Sequence, residues 1–205
     1  RDLVTVAKLV GTAAVLSHDR VRLGVGVGWC KEEFDATGQE FHNRGARLDD
    51  MIPALRALWG PGWVEYHGPH YDVPPMQMHP TPTKPVPIYV GGESPPAIRR
   101  AATLGDGWIG AGPYTPDDAT RHLDNLAAAR TAAGRSGEPF TIYLALLAEP
   151  DVDLYRRFEE AGVTDMVCAP WMLAEMKEGR DYRSTLPAKL AASERFATDV
   201  IAKMA

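Results

Sequence analysis

The stretch Val86-Pro87-Ile88-Tyr89-Val90-Gly91-Gly92-Glu93-Ser94-Pro95-Pro96-Ala97 constrains this chain more than any other. An apolar, β-branched run ends in two glycines and gives way to a helical pattern. That order spells strand, tight turn and capped helix. The glycine pair lets the backbone approach a ligand without interference from Cβ. Ser94 suits an N-cap, and Pro95 suits the first helical position. Free N–H groups and the positive dipole end of such a helix form an anion site, most often for phosphate. An ordinary connection in an α/β protein gives the same pattern, so this stretch alone leaves both readings open.

The rest of the chain repeats the theme. Leu3, Val6, Ala7, Val10, Ala14 and Leu16 mark a buried helix that stops at Ser17-His18-Asp19, where a left-handed residue is expected. Val21, Leu23, Val25 and Val27 then alternate with Gly24, Gly26 and Gly28. Period two means a strand, and its glycine-lined face implies something large lying against it. Leu48, Met51, Ile52, Leu55, Leu58 and Trp59 follow helical spacing, with Pro53 expected to kink or restart the helix. A long loop region spans 60–85, where 64–66 and 71–73 could pair as a small hairpin. Thr115, Pro116 and Asp118 open another helix with a capping box. Strands are expected near 21–27, 87–91, 107–110, 140–148 and 163–169, the fourth of the fully covered kind. A last helix begins at Ser184 or Thr185. Strand-then-helix alternation means a parallel sheet with helices outside. Five such units fit an open sheet or part of an eight-fold barrel, which usually takes ~250 residues.

With 205 residues, one domain over 1–205 is the default. The formal net charge of −5 and the lack of any basic run argue against a nucleic acid or an anionic membrane as partner. No apolar stretch reaches the ~20 residues of a membrane span. Cys30 and Cys168 show no metal or redox spacing, which points to a reduced, cytoplasmic compartment. No metal site is expected: His67 and His70 lack a third ligand of suitable spacing.

Four segments resemble the luciferase-like monooxygenase superfamily, in particular its F420-dependent oxidoreductase branch. They are Leu16–Trp29 followed by Glu33-Phe34; Arg44–Asp50 leading to Leu58-Trp59; Pro87–Ser94 running through Ala101-Ala102; and Gly105-Asp106-Gly107-Trp108. The resemblance implies a TIM (β/α)8 barrel, with this chain starting in the helix after the third strand. The first three strands, which supply part of the pocket under the cofactor ring, would then be absent. Strand 21–27 would be an open edge, and the chain is expected to form a homo-oligomer; the alternative to an active enzyme is an inactive barrel fragment that survives only by self-association.

The resemblance also implies a cofactor, coenzyme F420 or alternatively FMN, at the C-terminal mouth of the barrel. Backbone amides would hold its phosphate: Gly26, Val27 and Gly28 on one loop, and Gly91, Gly92, Glu93 and Ser94 on the other. Trp29 could line the ring pocket or simply pack under the loop. Hydride transfer to or from a small organic substrate is the implied activity. Candidate proton carriers are Glu33, His42 and His70, each with a plainer reading as a local cap or surface residue. Arg99 and Arg100 could reach an acidic cofactor tail or form a solvated helix face. Trp108 is expected in the core, and Cys30 is read as an inert thiol.

Overall fold

A computed structural model of the protein describes residues 2–172 and 184–204. The polypeptide opens with helix α1 (Leu3–Leu16), capped by Asp2, whose carboxylate accepts from the Thr5 amide at 2.8 Å. His18 and Asp19 both take left-handed backbone (φ 55° and 57°) and turn the chain into strand β1, Leu23–Val25. Helices α2 (Lys31–Ala36) and α3 (Arg44–Leu58) follow. Next comes an antiparallel hairpin of β2 (Val64–His67) and β3 (Asp72–Met76), the pairing expected within the 60–85 loop. The regular alternation then runs β4 (Ile88–Gly91), α4 (Pro95–Leu104), β5 (Gly107–Tyr114), α5 (Pro116–Ala132), β6 (Thr141–Leu146), α6 (Val152–Glu160) and β7 (Asp165–Val167). Helix α7 (Leu186–Phe196) continues into a π-helical turn, Ala197–Ile201.

Strands β1, β4, β5, β6 and β7 form one sheet in that order, with every pairing parallel. Register assigns the two faces. Leu23, Val25, Ile88, Val90, Trp108 and Leu144 point toward the helices, and the last four of these are fully buried. Gly24, Tyr89, Gly91, Gly107, Ile109 and Tyr143 occupy the opposite, concave face.

Several boundaries differ from expectation. Strand β1 is three residues long rather than seven, because only Leu23–Val25 finds a partner, on β4. The glycines of its concave face are exposed: a Cβ on Gly24 would meet only the Ile109 side chain, and one on Gly26 would meet nothing within 4 Å. Strand β6 is mostly half-buried instead of covered on both faces, because its concave side stays open. Pro53 does not restart α3, which runs through it; Leu48, Ile52, Leu55 and Leu58, buried on both sides of the proline, outweigh the lost hydrogen bond. Asn43, not His42, is the N-cap residue of α3, and His42 is exposed.

Candidate functional site

Both glycine turns lie at the C-terminal ends of strands, and those strands are neighbours. Gly91 ends β4, and its Cβ position is 3.4 Å from the carbonyl oxygen of Val25, the last residue of β1. Open parallel sheets and barrels bind ligands at this end. A methyl group on Gly91 would stand between the two turns in ordinary van der Waals contact. Gly92 is different. Its φ of +117° is a glycine conformation, and a Cβ there would lie 3.0 Å from the Ala97 Cβ.

The Gly92 peptide is held from both sides. Its N–H donates to the Ile109 carbonyl at 3.2 Å, and its C=O accepts from the Trp108 indole N–H at 2.7 Å. In a trans peptide the C=O and the following N–H point in opposite directions. Trp108 therefore aims the Glu93 amide away from the core.

The donors available to an anion are not those of helix α4 itself. Pro95 and Pro96 have no N–H. The Ala97 amide is spent on the Ser94 hydroxyl and the Ile98 amide on the Ser94 carbonyl. Contrary to the expectation of free helix amides, the free donors lie one step upstream, at Glu93 and Ser94. Both residues are exposed, and their amides donate to nothing among the described residues.

On the β1 side, Gly28 has φ +79° and sits against the Phe34 ring. Its carbonyl accepts from Arg44 Nε at 3.2 Å, while the Arg44 guanidinium lies 3.8 Å above the Phe41 ring. Val27 packs against the core; Trp29 stands 87% exposed. This turn is thus anchored by α2 and α3, while Gly26 remains open.

The Glu93 side chain reaches the hydroxyl of Tyr114, at the end of β5. That hydroxyl also accepts from the Ala111 amide at 2.8 Å. Burial, and then the neighbouring Glu93 carboxylate, push the Tyr114 phenol up to about 12. Tyr114, Trp108 and His122 form a cluster of three rings, with the Tyr114 centroid 6.4 Å from Trp108 and 4.7 Å from His122, and Trp108 6.3 Å from His122. Nothing in the spacing of the sequence links Glu93, Tyr114 and His122, which come from three different elements.

Two recesses flank the β5 segment around Gly112-Pro113. One, of about 410 Å³, is polar and includes Glu93, Asp118, Arg121 and His122. The other, of about 310 Å³, lies on the concave face at the C-terminal ends of β5, β6 and β7 and is apolar. Ile109 joins it to the glycine turns: its carbonyl holds Gly92, its side chain lines the recess, and its tip lies near Gly24. Glu33, His42 and His70 are exposed and line neither recess. A larger recess, about 860 Å³, sits at the N-terminal end of the sheet around Arg56, Asp106 and Arg135. It is remote from the glycine turns and at the end where parallel sheets seldom bind ligands.

Arg100, considered for an acidic ligand tail, is buried. It donates to Asp49 at 2.5 Å and to the Gly45 carbonyl at 3.1 Å, so it is committed to fastening α4 to α3. Arg99 is exposed.

Residues 1–181 match the luciferase-like monooxygenase family. The chain belongs to that family. An uncharacterised protein of Mycobacterium tuberculosis is 38% identical over 207 residues, covering 100% of this chain and 69% of the relative. The F420-dependent glucose-6-phosphate dehydrogenase of Amycolatopsis mediterranei is 35% identical over 107 residues, 51% of this chain and 32% of that protein. An F420-dependent secondary alcohol dehydrogenase, solved in complex with an F420–acetone adduct, superimposes with a TM-score of 0.61 at 18% identity, covering 94% of this chain and 58% of that one. The five-stranded sheet and its helices are thus part of the TIM barrel of luciferase-like enzymes. Among the described residues, no helix is long and apolar enough to cross a membrane.

Proposed function

We propose that this luciferase-like chain is an oxidoreductase that binds coenzyme F420 and passes a hydride between the deazaflavin and a small organic substrate. One observation carries the reading: two glycine turns adjoin at the C-terminal mouth of the sheet, and one of them presents unpaired backbone amides at Glu93 and Ser94. The group fits the residues present. A Cβ at Gly91 would fill the cradle, and Gly26 leaves open space that the fold itself does not use. The relatives named for F420 support the choice of cofactor.

The amides of Glu93 and Ser94, with the backbone of Gly26, Val27 and Gly28, would hold the phosphate of the ribityl arm. When bound, the deazaflavin supplies the hydride acceptor or donor. Trp108 fixes the direction in which the Glu93 amide points, and Arg44 holds the opposite turn in place through the Gly28 carbonyl. Tyr114 engages the Glu93 carboxylate, restraining a negative charge that would otherwise be free to swing toward the phosphate. We further propose that the chain self-associates and works in the reducing cytoplasm, in keeping with the edge position of β1 and the free thiols of Cys30 and Cys168.

The test is a pair of titrations, one following F420 fluorescence and one following FMN fluorescence. Saturable quenching of F420 at lower concentration than FMN is expected. Tighter FMN binding with dioxygen consumption assigns the site to a flavin monooxygenase, and no saturation with either identifies an inactive barrel fragment.

A further inference from the structure

We infer that the recess between the ends of β5, β6 and β7 is a substrate subsite for an uncharged, apolar group, and that it rejects phosphorylated or carboxylate substrates. The recess measures about 310 Å³, at the lower end of the range for small-ligand sites. Its wall includes Ile109, Pro113, Leu146, Leu147, Val167 and Met172, and none of its described lining residues carries a charge.

Two of the described lining residues carry a hydroxyl or a thiol. The Tyr143 hydroxyl accepts from Arg22 Nη1 at 3.0 Å, and its ring lies 5.5 Å from that of Tyr89. The Tyr143 hydrogen bond raises the pKa of the Arg22 guanidinium. The Cys168 thiol is paired with the hydroxyl of Tyr155, and burial raises the pKa of both groups, which keeps the thiol neutral.

A phosphate placed here would leave its hydration shell without meeting a charged side chain among the described lining residues, which is costly. An alkyl or alicyclic group would instead replace water along an apolar wall. Discrimination of this kind rests on a penalty against the wrong ligand as much as on attraction to the right one. Ile109 touches both the recess and the Gly92 turn, so a group seated here lies next to the cradle. Calling that group a substrate rests on the oxidoreductase reading; the apolar preference of the recess does not.

The experiment uses the cofactor-free chain with ¹³C-labelled methyl groups. 1-Hexanol and glucose 6-phosphate are titrated separately while the methyls of Ile109, Leu146, Leu147, Val167 and Met172 are followed by NMR. Saturable shifts at these methyls with 1-hexanol, and none with glucose 6-phosphate, are expected. Val167 is 56% exposed, so Val167→Lys brings a charge to the rim with little effect on the fold. It should weaken hexanol binding at least tenfold, while Val167→Met retains it and the thermal midpoints of both variants confirm folding. Shifts with glucose 6-phosphate, no shifts with hexanol, or hexanol binding unchanged in Val167→Lys would each overturn the inference. F420 quenching measured on the same sample separates the two claims: hexanol shifts without quenching uphold the apolar recess and refute the cofactor reading.

Discussion

The indole N–H of Trp108 donates to the carbonyl of Gly92 at 2.7 Å, joining the most deeply buried aromatic of the sheet to the turn at its ligand end. The contact couples packing to binding. Trp108 lies on the helix side of β5, is fully buried, and through one hydrogen bond sets the orientation of the peptide that carries the Glu93 amide.

Trp108→Phe removes that donor and part of the buried ring. A loss of about 2–3 kcal/mol is expected from the cavity and the unpaired Gly92 carbonyl. F420 affinity, measured well below the variant's melting temperature, should also fall several-fold, because the Glu93 amide is no longer aimed. Affinity equal to that of the parent chain would show that the turn holds its own orientation.

The two glycines of the turn should respond differently. Gly91→Ala places a methyl 3.4 Å from the Val25 carbonyl on ordinary backbone, and should cost under about 1 kcal/mol. It fills the cradle, however, and F420 affinity should fall tenfold or more. Gly92→Ala forces a side chain onto φ +117° and against Ala97, and should cost about 1–3 kcal/mol of stability in addition. Urea unfolding and fluorescence titration of both variants separate the two effects.

Much of this was legible in the sequence, and the exceptions share a cause. Ser94 and Pro95, Thr115 and Asp118, and the left-handed turn at His18 and Asp19 form as the local pattern requires, since caps and turns depend on near neighbours in the chain. The five strands and their order follow from alternation for the same reason. The lengths of β1 and β7 did not, because a strand's extent is set by its partner across the sheet. Pairings over long separations were also hidden: Arg100 with Asp49, Glu93 with Tyr114, and Arg22 with Tyr143. The loss of helix donors at Pro95-Pro96 could have been read directly, as proline has no amide proton.

Breaking the pair between Arg100 and Asp49 should be asymmetric. The Arg100 side chain is 5% exposed and that of Asp49 is 49% exposed. Asp49→Ala leaves a buried guanidinium with only the Gly45 carbonyl, and should cost about 3 kcal/mol. Arg100→Met leaves a carboxylate that water can reach, and should cost less. Urea denaturation of both variants checks the order.

Stability should fall at high pH through the tyrosines. The Tyr66 hydroxyl donates to the buried Asp50 carboxylate at 2.5 Å; burial first, and then Asp50, raise its pKa from the ordinary 10.0 to about 12. The fold favours the protonated phenol. Its contribution is therefore complete below pH 10 and is lost as pH rises toward 12, where Tyr114 adds a loss of the same sign. Thermal midpoints should drop over that window, and the drop should be smaller in Tyr66→Phe, which starts less stable for want of the hydrogen bond.

The most direct measurement is a ¹⁵N-amide NMR titration of the chain with F420. The largest shifts are expected at Gly26, Val27, Gly28, Glu93 and Ser94, saturating together with a single dissociation constant, with smaller changes at Ile109. Shifts that instead gather at the N-terminal end of the sheet, around Arg56, Asp106 and Arg135, or that never saturate, would contradict a cofactor site built on the two glycine turns.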